Sequence, residues 1–176
     1  MRVISGKYRG REIKGYNILG TRPTMDRVKE SLFATIQKSI KDAVCLDLFC
    51  GSGALGIEAL SMGAKCCYFV DNNKLALSTL ENNLISLKVE EEYHLLFKSY
   101  DEALKNFTNV KFDIIFLDPP YHLNLMNDAI KKIIDYDLLN DNGLIICEYE
   151  EGQISCQLNL LKQKGYGSKN ISIFQK

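Results

Sequence analysis

Apolar positions along the chain switch between two spacings, and the switch predicts an alternating order of helices and strands. Val28, Leu32, Ile36 and Ile40 recur every fourth residue. Thr24 suits a helix N-cap with Asp26 in the first turn, so a helix is expected from about 25 to 40. The apolar run AVCLDLF, 43–49, reads as a buried strand, and ALGIEALSMG, 54–63, as a helix ended by Gly63. KCCYFV, 65–70, reads as a second strand. Residues 73–87 place Leu77, Leu80, Leu84 and Leu87 on one helical face. A third strand is expected at 93–98, a short helix near 100–107, a fourth strand at 111–117 and a helix at 125–134. LLNDNG then reads as a turn, LIICEY, 144–149, as a fifth strand and 155–164 as a last helix. YGS and ISIF near the C-terminus suit two final strands as a hairpin. Residues 1–20 carry glycines at 6, 10, 15 and 20 between short β-prone pieces, which predict a small hairpin or extended arm.

Strands that alternate with helices imply a parallel sheet covered on both faces. Such sheets bind ligands beyond the carboxyl ends of their strands. The first strand runs into DLFCGSGALG, Asp47 to Gly56, and the fourth into DPPY, Asp118 to Tyr121. Both motifs are therefore expected on one rim, although 71 residues separate Asp47 from Asp118.

Composition narrows the classes. A chain of 176 residues, 46% of them hydrophobic, suits one domain with a full core. Its apolar runs fall well short of the roughly 20 residues of a membrane helix. The start, MRVISGKYRGR, lacks the apolar stretch of a signal peptide, so a cytoplasmic protein is expected. The six cysteines form no CxxC pair and are expected as buried, reduced thiols. His94 and His122 lack ligand spacing, so no metal is expected.

The net charge is zero, but its distribution is uneven. Residues 1–41 hold 10 Lys/Arg against 3 Asp/Glu. All five arginines, Arg2, Arg9, Arg11, Arg22 and Arg27, lie in the first 27 residues. Arginine's planar fork suits phosphate, so with Lys7 this segment reads as a phosphate-binding arm. The plainer alternative is a solvated charged segment.

Gly51 to Gly56 fits GxGxxG between a strand and a helix, which permits a tight turn close to a ligand. The pattern alone does not separate a dinucleotide pocket from one for S-adenosylmethionine (AdoMet). Asp47 tilts the choice, because a carboxylate suits the ammonium and sulfonium of AdoMet better than a pyrophosphate. Asp71, 20 residues after Gly51, is placed to accept hydrogen bonds from ribose hydroxyls. Ser99, Tyr100 and Asp101 are candidates for an adenine contact.

DPPY is the more specific signal. The lone pair of an exocyclic base amine is delocalised into the ring, so two acceptors gripping its N–H bonds assist methyl transfer. Asp118 offers one acceptor and the Pro119 carbonyl another. Pro120 stiffens the loop, and Tyr121 offers a face on which a base can stack. A Pro-Pro strand terminator followed by a core tyrosine is the structural alternative. No Pro-Cys pair is present for pyrimidine C5 methylation, and His122 is left unassigned.

With RVISGKYRGREI, TRPTMDRVKESLF, DLFCGSGALGIEALS and DPPY, essentially the whole chain resembles the bacterial 16S ribosomal RNA guanine-N2 methyltransferases of the RsmD type. The resemblance implies a Rossmann-like class I methyltransferase fold. That fold is a seven-stranded, mostly parallel sheet with helices on both faces, a C-terminal antiparallel hairpin and a small N-terminal β arm. It implies a division into an arm, 1–23, and a methyltransferase domain, 24–176. It further implies transfer of a methyl group from AdoMet, leaving S-adenosylhomocysteine, to the N2 amine of a guanine in 16S rRNA, within the small subunit or its assembly intermediate. The expected cofactor contacts are Asp47, Phe49, Gly51, Ser52, Gly53, Asp71, Asn72, Ser99, Tyr100, Asp118 and, by the family match of TRPT, Thr24. The same match brings Arg22, Pro23 and Arg27 to the border of the site. Tyr100 departs from the small or acidic residue of many relatives. The alternatives are an adenine-N6 or other amine methyltransferase on RNA or DNA, a nicotinamide oxidoreductase, and a non-catalytic RNA-binding domain.

Overall fold

The computed structural model describes residues 1–16, 23–119 and 123–176, with the backbone alone at 23–25 and 123. Seven strands form one sheet: β1 (Val44–Asp47), β2 (Cys66–Asp71), β3 (Glu92–Phe97), β4 (Phe112–Leu117), β5 (Leu139–Tyr149), β6 (Asn159–Tyr166) and β7 (Lys169–Gln175). The helices are α1 (Pro23–Ile40), α2 (Ala54–Ser61), α3 (Lys74–Leu87), α4 (Tyr100–Asn106) and α5 (Leu123–Asp135). The strand order is β3-β2-β1-β4-β5-β7-β6. Pairings are parallel from β3 through β5, and β7 is antiparallel to both β5 and β6. This is the expected seven-stranded, mostly parallel sheet with a C-terminal antiparallel hairpin.

Side chains alternate across the sheet and divide the core in two. Cys45, Cys67, Phe69, Phe116, Ile146 and Ile173 face α1, α2 and α3. Leu46, Val70, Ile115, Leu117, Ile145 and Cys147 face α4 and α5. Phe33 of α1 packs on Phe116 at 5.8 Å between ring centres. All six cysteines are free, and five are buried.

Three sequence expectations change. Residues 155–164 do not form a helix: 159–166 is strand β6. The outer edge of β7 carries a full set of unpaired backbone groups, and pairing them along Asn159–Tyr166 outweighs the local helical spacing of Leu158, Leu161 and Lys162. The resulting edge strand is lysine-rich and carries a register shift between Leu160 and Lys162, both common guards against further pairing. Residues 139–143 of the expected turn LLNDNG lie inside β5 as an irregularity. Pairing jumps from Phe112↔Leu139 to Ile114↔Leu144, with Asn142 at φ 62°. Finally, α1 starts at Pro23, a residue that fits the first helical position. Thr24 therefore lies within the first turn rather than capping it, and its side chain is outside the described residues.

The N-terminal segment is a docked hairpin. Val3 N–H donates to the Arg11 carbonyl at 2.9 Å, and Arg2 pairs with Glu12. Val3, Tyr8 and Ile13 are buried in the core shared with α1, α2 and α3. Glu58 of α2, fully buried, accepts the Ile4 and Ser5 N–H groups at 2.7–3.0 Å and pairs with buried Lys29 of α1 at 2.9 Å. Gly6 approaches Ser61 so closely that a Cβ would lie 1.8 Å from the Ser61 carbonyl oxygen. Only glycine fits there.

Candidate active site

The parallel strands β1, β2, β4 and β5 deliver Asp47, Asp71, Asp118 and Glu148 to one rim, the carboxyl ends of the sheet. Asp47 lies beside Phe116 in the ladder, so Asp118 stands two residues farther out on the neighbouring strand and on the same face. The glycine loop and Asp118 thus share one rim, as their positions after strands one and four required.

The glycine loop leaves β1 and enters α2. Gly51 and Gly53 have φ of 53° and 83°, conformations that favour glycine. A Cβ on Gly53 would meet Leu80 at 2.3 Å, and one on Gly56 would meet the Phe69 ring at 2.2 Å. Asp47 is buried and accepts the Gly56 N–H at 3.0 Å, so part of this carboxylate holds the first turn of α2. Burial pushes its pKa up to about 7, against the Gly56 hydrogen bond. Asp71 accepts the Gly51 N–H at 2.9 Å and the Asn73 N–H at 2.8 Å, tying the loop after β2 to the glycine loop. Asn72, beside it, is exposed. Ser52 is buried, and its carbonyl accepts from Asn83, which also makes paired hydrogen bonds with the backbone of Lys14. Asn83 therefore couples the N-terminal hairpin to the glycine loop. Sequence reasoning missed it, because a lone asparagine in a helix carries no signal. Tyr16 also borders the loop, its ring 3.2 Å from where a Gly51 Cβ would lie.

The adenine-contact candidates are held locally. Ser99 caps α4 in a reciprocal capping box with Glu102. The Tyr100 hydroxyl donates to Asp128 at 2.6 Å, and the Tyr100 ring lies 5.7 Å from that of Phe49. Asp101 pairs with Lys105 and Lys132 at 2.7 and 2.8 Å.

Asp118 and Pro119 are partly buried at the end of β4. Burial, and then the Glu148 carboxylate, push the Asp118 pKa up to about 8, with Lys169 opposing. Pro120, Tyr121 and His122 lie outside the described residues, as does Arg22.

The basic residues divide. Lys7 bridges Glu90 and Glu91 at 2.8 and 2.9 Å, Arg11 donates to the Leu87 carbonyl at 2.5 Å, and Arg2 pairs with Asp26 at 3.2 Å. Arg9, in the hairpin turn, and Arg27, on α1, are exposed. Arg2, Lys7 and Arg11 are exposed too while they make these contacts.

The rim fits a cationic, phosphate-free cofactor. From Asp47 to Gly56 the chain carries one acid, Asp47, and no Lys or Arg, and positive-φ glycines let backbone approach a ligand. Away from the rim, Cys66, Glu92 and His94 bring ligand-capable atoms within 4.8 Å of one another near the amino ends of β2 and β3. Their separation along the chain hid this grouping, which parallel register creates. His94 already stacks on Tyr68 and hydrogen-bonds Glu92, which accounts for the arrangement without an ion. No helix among the described residues is long and apolar enough to cross a membrane.

A family model described as conserved hypothetical protein 95 matches residues 1–175. The chain is 39% identical over 180 residues to the ribosomal RNA small subunit methyltransferase D of Haemophilus influenzae, covering 99% of this chain and 93% of that protein. Identity to the Escherichia coli protein of the same name is 36% over 150 residues, covering 85% and 75%. A solved Escherichia coli structure described as a candidate methyltransferase matches with a TM-score of 0.88 at 30% identity, covering 100% of this chain and 97% of that one. A 16S rRNA N2 methyltransferase of Thermus thermophilus, solved with AdoMet and guanosine, shares the fold at a TM-score of 0.69 and 19% identity, covering 91% and 44%.

Proposed function

We propose that this chain, which belongs to the conserved hypothetical protein 95 family, methylates the exocyclic N2 amine of a guanine in small-subunit ribosomal RNA. Relatives named ribosomal RNA small subunit methyltransferase D support an rRNA methyltransferase. The observation that supports transfer to an amine is the shared rim: Asp118 of DPPY stands next to, and two residues beyond, Asp47 of the glycine-loop strand; the choice of guanine N2 follows the family resemblance.

AdoMet, when bound, supplies an activated methyl group and a thioether leaving group. Asp71 and the glycine loop hold its adenosine, and Asp47 offers negative charge toward its cationic end. Asp118 accepts one N–H of the target amine and the Pro119 carbonyl accepts the other. Gripped at both N–H bonds, the nitrogen is drawn toward a tetrahedral shape with its lone pair aimed at the methyl group. A proton then leaves the methylated nitrogen for Asp118 or solvent. Pro120 stiffens this loop, and Tyr121 provides a stacking face for the base. Arg9, Arg27 and Arg22 supply phosphate contacts, and recognition by so compact a chain relies on the shape of a folded subunit or its assembly intermediate.

The test is nucleoside mass spectrometry of small subunits lacking the modification, after incubation with the protein and AdoMet. The expected product is N2-methylguanosine. N6-methyladenosine in its place would establish the adenine alternative.

A further inference from the structure

Three side chains stand in a row along the rim: Asp118 after β4, Glu148 near the end of β5 and Lys169 at the start of β7. These strands are lateral neighbours in the order β4-β5-β7. Leu117 pairs with Cys147, so Asp118 and Glu148 are the next neighbours outward. Glu148 pairs with Ile171, two residues from Lys169. Phe116, Ile146, Ile171 and Ile173 all face α1, so alternation turns Asp118, Glu148 and Lys169 to that same face. Glu148 and Lys169 form an ion pair, and their side chains remain 11% and 31% exposed.

Resting on the assignment of the clamp to a guanine amine, we propose that Glu148 and Lys169 read the rest of the base's Watson–Crick edge. The Glu148 carboxylate accepts the N1–H, and the Lys169 ammonium donates to O6. Guanine presents N2, N1 and O6 in a row as donor, donor and acceptor. The rim presents carboxylate, carboxylate and ammonium in the same lateral order. Glu148 has a second oxygen and Lys169 two further N–H bonds, so the ion pair persists while both contact the base. A base with an acceptor at N1, as in adenine, sets that lone pair against the Glu148 carboxylate. Glu148 also opposes ionisation of its neighbour Asp118. Neither residue has a motif to mark it. Only the order of strands brings them to the clamp.

A site built to hydrogen-bond a substrate rejects analogues that leave its polar groups unpaired. Small subunits reconstituted with 16S rRNA carrying either guanine or 2-aminopurine at the methylated nucleotide test this directly. 2-Aminopurine keeps the amine but lacks N1–H and O6. In single-turnover assays with AdoMet, the wild-type protein is expected to methylate guanine roughly 100-fold faster, as two charge-assisted hydrogen bonds imply. In Glu148→Leu/Lys169→Met, which removes both charges together, the ratio is expected to fall within roughly threefold of one. Affinity for S-adenosylhomocysteine should stay unchanged. Should the double variant not fold, Lys169→Met alone must lower the ratio at least roughly fivefold. A wild-type ratio near one, or a ratio kept in a folded variant, overturns the proposal. A guanine-N2 product with an insensitive ratio rejects only the roles of Glu148 and Lys169. A product methylated elsewhere rejects the parent reading.

Discussion

Asp118 sits where burial and the Glu148 carboxylate both resist its negative charge, with a pKa raised to about 8. In the proposed clamp the ionised form is the acceptor. The single-turnover methylation rate should therefore climb about tenfold per pH unit up to pH 8 and then level. Glu148→Gln removes the largest repelling neighbour and should move the break to lower pH; an unmoved break would contradict the electrostatic account. Asp118→Ala is expected to raise the methylation barrier by about 2–4 kcal/mol with near-normal AdoMet affinity by calorimetry. The same shift acts on stability. For a carboxyl whose folded pKa lies above the unfolded value, the favourable contribution is full below the unfolded pKa and is lost as pH rises through the folded one. For Asp47 and Asp118 that loss extends up to about pH 7 and 8. Asp118→Asn should therefore raise Tm at pH 8.5 more than at pH 5 while it suppresses methylation. Asp47, Asp71 and Asp118 were legible in the sequence because each sits at a fixed offset from a strand end. Glu148 and Lys169 were not, because lateral strand order leaves no trace in local spacing.

At the scale of elements, the helix–strand alternation was legible through Leu139, since each unit has its own apolar period. The expected helix at 155–164 failed because an edge of β7 needed a partner, a demand invisible within the segment. The N-terminal hairpin was legible as β-prone but not as docked, since its anchor, Glu58, is one acid in an otherwise apolar helix. That anchor can be measured. Lys29→Met leaves the fully buried Glu58 carboxylate without its ion-pair partner and should cost about 3–5 kcal/mol in urea denaturation. A loss under about 1 kcal/mol would show that the backbone N–H groups of Ile4 and Ser5 suffice to hold the charge.

Across the whole molecule, an arginine-rich start meets an acidic body, and of its exposed cations Arg2, Lys7 and Arg11 also contact that body. Replacing exposed Arg9 and Arg27 with Ala should weaken binding to small-subunit RNA and lower its salt slope by roughly one per residue. Replacing Lys7 or Arg11 should act mainly on stability, because Glu90, Glu91 and the Leu87 carbonyl hold them. In the proposed mechanism cofactor and target amine meet at one rim. A crystal structure with S-adenosylhomocysteine measures that most directly. The ribose should lie against Asp71, with the sulfur between the glycine loop and Asp118. A cofactor bound at the amino ends of the strands, or a sulfur turned away from Asp118, would contradict the account.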